Sequence, residues 1–157
     1  MAQAQEQAQQ PLFSIEKIYL KDASIEAPNT PQVFLESGQP QVDVALQTTG
    51  GRAAESLYEV VVTATVTAKT GERTYFLVEA AQAGIFQIRN VPESDIEAIL
   101  AVACANIIFP YLRESVADLV GRAGFPPIHL APVNFEAMYA ERARTQQESG
   151  PRIEIAH

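Results

Sequence analysis

The side chains able to do chemistry are few in this chain, and their spacing decides how they are read. His129 lies in the run FPPIHLAP, with no serine or cysteine nucleophile motif beside it. It reads as a structural loop histidine rather than a general base. The other histidine is the final residue, His157, so a paired-histidine metal site is not expected. Cys104 sits between Ala103 and Ala105 in an apolar run, where a thiol behaves as a small inert hydrophobe. Nucleophile-elbow, P-loop and dinucleotide-binding glycine patterns are absent, and Gly50-Gly51 reads as a turn dipeptide. Asp22 and Glu26 stand four apart on a predicted strand, about 13 Å at a rise of roughly 3.3 Å per residue. That is too far for acid–base pairing of the glycosidase kind. They read either as a solvated acidic strand face or as a docking surface for a basic partner. An aromatic set remains, Phe34, Phe125, Phe135 and Tyr139. Core packing accounts for any one of them alone. Their placement on proline-rich loops and on a short, thinly apolar helix favours an interaction groove.

At 157 residues and 17.1 kDa the chain is of single-domain size. Its composition, 47% hydrophobic and 19% charged, is that of a folded globular protein. Nineteen acidic against eleven basic residues give a net charge of -8. That balance argues against general nucleic-acid binding and against electrostatic docking to anionic lipid. A single cysteine and two histidines make no internal disulfide and fall short of a structural zinc site, so a reducing compartment is expected. The opening MAQAQEQAQQ has no basic n-region and no apolar h-region, so it is not a secretory signal; residues 1–11 read as a disordered, Gln-rich tail. The longest stretch free of Asp, Glu, Lys and Arg, Ala98 to Leu112, is shorter than the roughly 18–20 residues of a spanning helix. It reads as a buried helix in a soluble, cytoplasmic protein.

Four strands are predicted to position these residues. The first, over 12–27, has Phe13, Ile15, Tyr19, Ala23 and Ile25 on one face and Ile18, Leu20, Asp22 and Glu26 on the other. Ile18 and Leu20 there suggest a covered edge or a subunit contact. Residues 28–41 carry Pro28, Pro31, Gly38 and Pro40, a long loop that keeps Val33, Phe34 and Leu35 in polar surroundings. Residues 42–47 make a short strand, and TTGGRAAES reads as a turn. Residues 57–69 are the strongest strand, with an unbroken apolar even face from Tyr58 to Ala68. Residues 73–89 are its partner across a tight turn at Gly71, with Gly84 expected to mark a bulge.

Ser94 and Glu97 form a capping-box pattern opening a helix to about Val120, with a kink or break expected at Pro110. Its apolar residues, Val102 and Phe109 among them, exceed one face, and the second cover is most simply another copy of the chain. Cys104 belongs with that contact. Asn134 caps a short helix over about 135–144, with Val133 and Met138 at staple positions; 147–157 reads as a disordered tail. The order indicates an α+β fold, a four-stranded antiparallel sheet with one long and one short helix in a domain over 12–146.

Several runs together resemble the SecB family of bacterial protein-export chaperones. They are Ile18-Tyr19-Leu20-Lys21-Asp22-Ala23-Ser24-Ile25-Glu26-Ala27-Pro28-Asn29, Tyr58-Glu59-Val60-Val61, Gly84-Ile85-Phe86, the stretch from Asn106 to Glu114, and Leu130-Ala131-Pro132-Val133-Asn134-Phe135. The resemblance covers about residues 12–145. It implies a homotetramer, a dimer of dimers with the long helices between two sheets, for which Ile18, Leu20, Val102, Cys104 and Phe109 are the expected interface. It implies a holdase that works without ATP or cofactor, keeps unfolded precursors translocation-competent and delivers them to the motor SecA. Apolar grooves formed by the long loop and the helices would take the client, pointing to Val33, Phe34, Phe125, Phe135, Met138 and Tyr139. An acidic sheet surface, here Asp22, Glu26, Leu77 and Glu79, would receive SecA's basic, zinc-bearing tail, the zinc belonging to that partner. The chain departs from family members that carry Trp before the Gln-Pro pair, having Gly38 there. A SecB-like chaperone dedicated to an antitoxin or other single client is the alternative, and a small hydrolase or isomerase using His129 is a rival of another class.

Overall fold

The computed structural model describes residues 10–148. Four antiparallel strands, β1 (Leu12–Glu26), β2 (Gln41–Ala54), β3 (Leu57–Thr70) and β4 (Arg73–Arg89), form one sheet in the order β1-β4-β3-β2. Strands β2, β3 and β4 follow one another through tight turns, and β1 returns to lie beside β4, a Greek-key arrangement. The long loop over 27–40 therefore joins the two opposite edges of the sheet. A 30-residue helix, α1 (Glu93–Arg122), packs on one face, mainly against β4 and β3. A shorter helix, α2 (Phe135–Glu148), follows. The tails expected over 1–11 and 147–157 fall mostly outside the described residues. Within them, the Gln10 carbonyl accepts a hydrogen bond from Asn90 and α2 continues to Glu148.

The even face of β3 is the floor of the core, with Tyr58, Val60, Val62, Ala64, Val66 and Ala68 all buried. Against it α1 sets Leu100, Cys104, Ile108, Leu112, Val116 and Val120, one every four residues. Residues spaced by four drift around an ordinary helix of 3.6 residues per turn. The wider π-helical segment Ile99–Cys104 offsets part of that drift and keeps Leu100 and Cys104 on the core side. The same turn leaves Ala103 exposed. Gln82 is the one polar side chain among the described buried core residues, and its Oε1 accepts a hydrogen bond from Ser115 at 2.9 Å.

Several expectations are corrected. Strand β1 carries two register shifts against β4, between Ile15 and Lys17 and between Leu20 and Asp22. Each adds one residue and so reverses which side chains face the helix. Phe13 and Ile15, then Ile18 and Leu20, then Ala23 and Ile25 consequently share the helix side, and Tyr19 turns to the outer face. Gly84 is no bulge, since it pairs regularly with Ile18 and Val60. It is small because Phe86 packs over it. Of the segment TTGGRAAES only Glu55 and Ser56 form the turn; β2 stays paired with β3 as far as Ala54 opposite Leu57. Gly50 sits within it where Leu100 of α1 approaches, 3.3 Å from the position of an added Cβ. The capping box does not form, because α1 starts at Glu93, and the Asp95 N–H already bonds to the Pro92 carbonyl. The helix also runs through Pro110 without a break. Pro110 and Asn106, one turn earlier, are both exposed, so the carbonyl left without a donor lies on the solvent side.

An added Cβ at Gly84 would lie 2.8 Å from the Phe86 ring. Gly84→Ala is expected to lower stability by about 1–3 kcal/mol. Urea denaturation checks this as a lower midpoint with unchanged far-UV circular dichroism.

Candidate functional site

Helix α1 covers the middle of the sheet and leaves the β2 flank open. Register places Val42, Val44 and Leu46 on the helix side, opposite the buried Ala68, Val66 and Ala64. Val42 is nonetheless 40% exposed and Val44 48%. These side chains floor a shallow apolar trough with an aromatic cluster at each end.

The first cluster is built by the end of α1 and the long loop. Gly124 takes a left-handed conformation (φ 92°), its N–H bonds to the Gly121 carbonyl and the Phe125 N–H to that of Val120. This double bond pattern closes the helix and throws Phe125 back over the sheet. Its ring lies 4.9 Å from Phe76 and 5.0 Å from Phe34. Phe76 is in the same cross-strand row as Ala68 and Val42, so the cluster adjoins the trough floor. Val33, in the short 3-10 turn Gln32–Leu35, is the buried anchor of the loop. Phe34 and Leu35 beside it remain exposed.

The second cluster belongs to α2. Asn134 caps that helix as expected, its Oδ1 accepting from the Ala137 N–H at 3.0 Å. Phe135 turns inward, edge-on to Phe109 at 5.7 Å. Arg142 donates to the Thr48 carbonyl of β2 at 3.1 Å. Between helix and strand lies a groove of about 490 Å³, lined by Leu46, Thr48, Ala101, Met138 and Tyr139 among others.

The six residues expected to bind polypeptide thus fall in two clusters joined by β2. Phe34, Met138 and Tyr139 present surface, whereas Val33, Phe125 and Phe135 are buried supports of that surface. Leu35, Val42, Val44 and Leu46 were not anticipated as site residues. Their alternation is visible in the sequence, but which edge the helix leaves bare is not.

The opposite face of the sheet is mixed, with Val61, Leu77 and Ile85 set among polar side chains. Glu26 pairs with Leu77, Ser24 with Glu79 and Asp22 with Ala81, so Asp22, Glu26, Leu77 and Glu79 share one patch. The second register shift in β1 separates these acids from Leu20. Farther along the same face, Glu59 is held by Lys21 at 2.7 Å and by the Tyr19 hydroxyl, which donates to it. The Lys21 hydrogen bond and then that of Tyr19 hold the Glu59 carboxyl below its ordinary range. In return the bond to Glu59, with burial and the neighbouring negative charge, pushes Tyr19 up to about 12.

Of the residues expected at a subunit contact, Leu20 is exposed, and Ile18 and Val102 are half-buried. Cys104 and Phe109 are enclosed within their own chain. Burial pushes the Cys104 thiol up to about 12, far from a reactive thiolate. Leu12, Phe13 and Ile15 add exposed apolar surface along β1. His129 is exposed on the loop before α2. Among the described residues no group of three or more His, Cys, Asp or Glu side chains is placed to hold a metal ion.

A family model described as SecB, preprotein translocase subunit SecB, matches residues 6–147. Protein-export protein SecB of Dechloromonas aromatica is 57% identical over 150 residues, 96% of this chain and 97% of that protein. Its counterpart in Chromobacterium violaceum is 56% identical over 147 residues, 94% of this chain and 98% of that protein. Among solved structures, the SecB-like chaperone Rv1957 of Mycobacterium tuberculosis, in complex with a ChAD peptide from the HigA1 antitoxin, has a similar fold. Its TM-score is 0.64 at 19% identity, over 78% of this chain and 91% of that one.

Glu59→Gln is expected to bring the Tyr19 phenol down from about 12 toward the ordinary value of 10.0. The Tyr19 folded value is the raised one, so the stability from this bond is complete below the unfolded value and fades as pH climbs toward the folded one. Tyrosinate absorbance during alkaline titration of both proteins measures it.

Proposed function

The chain belongs to the SecB family of protein-export chaperones, and on that premise we propose that it is an ATP-independent holdase that keeps unfolded precursors translocation-competent and passes them to the motor SecA. As a member of a chaperone family it is not an enzyme, and the reading that made His129 a catalytic base is set aside. The observation that carries the holdase reading is the trough along β2, where Phe34, Leu35, Val42, Val44 and Met138 all stay exposed on a folded chain. An unfolded precursor offers apolar side chains that would otherwise collapse or aggregate, and a trough of this kind shields them.

Two features support assembly of four copies, a dimer of dimers. The most apolar window of α1, at a mean hydropathy of 1.6, is only 33% buried within one chain. By length and composition alone such a helix could cross a membrane, but its packing on the sheet supports a core helix awaiting a second cover. The β1 edge also carries Leu12, Phe13, Ile15 and Leu20 exposed, with Tyr111 of α1 likewise exposed. Several troughs on one assembly would multiply modest affinities for one long client. Asp22, Glu26, Leu77 and Glu79, on the face away from the trough, form the surface proposed for the basic tail of SecA. Zinc in that complex would be the partner's. The net charge of -8 favours such a basic segment and solubility in the cytoplasm. Service to a single antitoxin client is not favoured, since the relatives at 56–57% identity are protein-export proteins and the antitoxin-linked chaperone is 19% identical.

Suppression of aggregation of a chemically unfolded precursor, followed by light scattering, tests the holdase. Val44→Asp is expected to raise the chaperone concentration needed by about tenfold, with an unchanged melting temperature because Val44 is exposed. An unaltered requirement would mean that the trough is not the client site. A second outcome concerns the other face. Asp22→Lys with Glu26→Lys is expected to weaken binding of the SecA tail by about tenfold or more at low salt and to leave holding intact. Calorimetric titration of the tail peptide, beside the scattering assay, separates the two; equal loss of both activities would refute the division.

A further inference from the structure

Among the described residues two buried side-chain polar atoms have no hydrogen-bond partner, the Tyr75 hydroxyl and Oγ1 of Thr48. Buried hydroxyls are paired in the great majority of proteins, and an orphan destabilises the state that contains it. The two orphans lie at opposite ends of the same trough. Tyr75 is the extra residue where β4 shifts register between Thr74 and Phe76. Such an irregularity re-aims a side chain. Here the ring reaches the first cluster, 6.4 Å from Phe125. Gly38 of the long loop lies over the hydroxyl, its Cβ position 3.4 Å away, with the Thr70 side chain beside the same point. The loop is tied down before this point, by Asn29 donating to the Thr74 carbonyl at 2.9 Å and by the ion pair of Glu36 with Arg73, and beyond those ties Ser37, Gly38 and Gln39 are exposed. Thr48 stands opposite Val62 on the helix side of β2 and lines the groove beneath α2. Arg142 occupies its carbonyl but not its hydroxyl.

Val42, in the row next to Tyr75, lies six residues from Thr48, about 20 Å along an extended strand. We propose that the Tyr75 and Thr48 hydroxyls are polar rungs of the client trough, each bonding a backbone group of one extended client segment of about seven residues. The client's alternate apolar side chains seat on Val42, Val44 and Leu46, and Gly38 lifts to admit the segment to Tyr75. This deepens the holdase reading and rests on it. A folded helix or sheet has already paired its backbone groups, whereas an unfolded chain has not. Rungs of this kind therefore recognise non-native chains whatever their sequence.

The test uses the full-length protein with Tyr75→Phe, Thr48→Val and the two combined. Both replacements keep shape and remove only the hydroxyl. Thermal denaturation and anisotropy of a fluorescently labelled, unfolded precursor are read side by side. The expected result is an unchanged or higher melting temperature, with the dissociation constant raised about three- to tenfold by each change and further by both. Affinity held within about twofold, or a lower melting temperature in either single variant, overturns the proposal, because the hydroxyls then serve nothing in the client or serve the free fold. Val44→Asp in the same assay keeps the two readings apart. If it abolishes binding while the hydroxyl variants bind normally, the trough stands and the rungs fall. If it too binds normally, the trough reading falls and the rungs fall with it.

Discussion

One helix is too narrow for this sheet. A helix is about 10–12 Å across with its side chains, and four strands at about 4.8 Å spacing extend beyond it on both sides. Helix α1 settles over β4 and β3, where Val60, Val62, Val66 and Val78 are sealed. Two flanks carry apolar side chains that the other described residues leave exposed. On the β1 side they are Phe13, Ile15 and Leu20, and on the β2 side Val42 and Val44. A monomer designed only for stability would have polar residues at these places. Here each flank has a distinct edge character. The β1 edge carries two register shifts with Lys17 and Lys21, features that discourage indiscriminate strand pairing and suit a partner of fixed shape. The β2 edge pairs regularly from Gln41 to Arg52 and has neither proline nor lysine, which suits partners of varied sequence.

The same geometry would keep the two proposed kinds of recognition from interfering. A strand alternates its side chains between faces, so one strand can serve both sides of a sheet. Strand β1 uses this twice over. Its register shifts gather six apolar side chains on the helix side, while Asp22, Ser24 and Glu26 remain outside beside Leu77 and Glu79. Without the second shift, Leu20 would share the face of Asp22 and Glu26 and stand beside the acidic patch. Glu59 also lies outside, but Lys21 and Tyr19 satisfy it, so the unpaired acidity is concentrated at the other end of the sheet.

What the sequence disclosed follows from which signals are local. The β3 alternation from Tyr58 to Ala68 needs only period two, and every predicted core position there is buried. The Asn134 cap is a four-residue pattern and forms as read. The acidic patch was legible because the resemblance named its residues and strand pairing put them together. Misreadings arose where a distant segment decides the outcome. Strict alternation cannot register a bulge that β4 imposes on β1. Gly50 looks like a turn residue until Leu100 is seen above it, and Gly84 like a bulge until Phe86 is seen beside it. The Ser94 cap lost to Pro92, whose carbonyl already closed the first turn. Aromatic residues were recognised as a set, but their division into supports and surface depends on the turn at Gly124 and on the distant loop that brings Phe34 against it.

On the proposed holdase reading, a client that must be released is best not held tightly at any one point, and the shape of the trough would meet that requirement. Its floor is β-branched and aliphatic, so burial contributes roughly 25 cal/mol per Å² of apolar contact and discriminates little between apolar side chains. Its aromatic ends are held from behind by Val33, Phe125 and Phe135, so little ordering of the protein accompanies binding. A segment of about seven residues would fill it, short enough for any unfolded precursor to offer several. Strength would then come from the number of troughs one chain could reach, and release from the loss of one contact after another. A deeper single pocket would give the same total affinity with one slow exit, which is the wrong kinetics for handing a precursor onward.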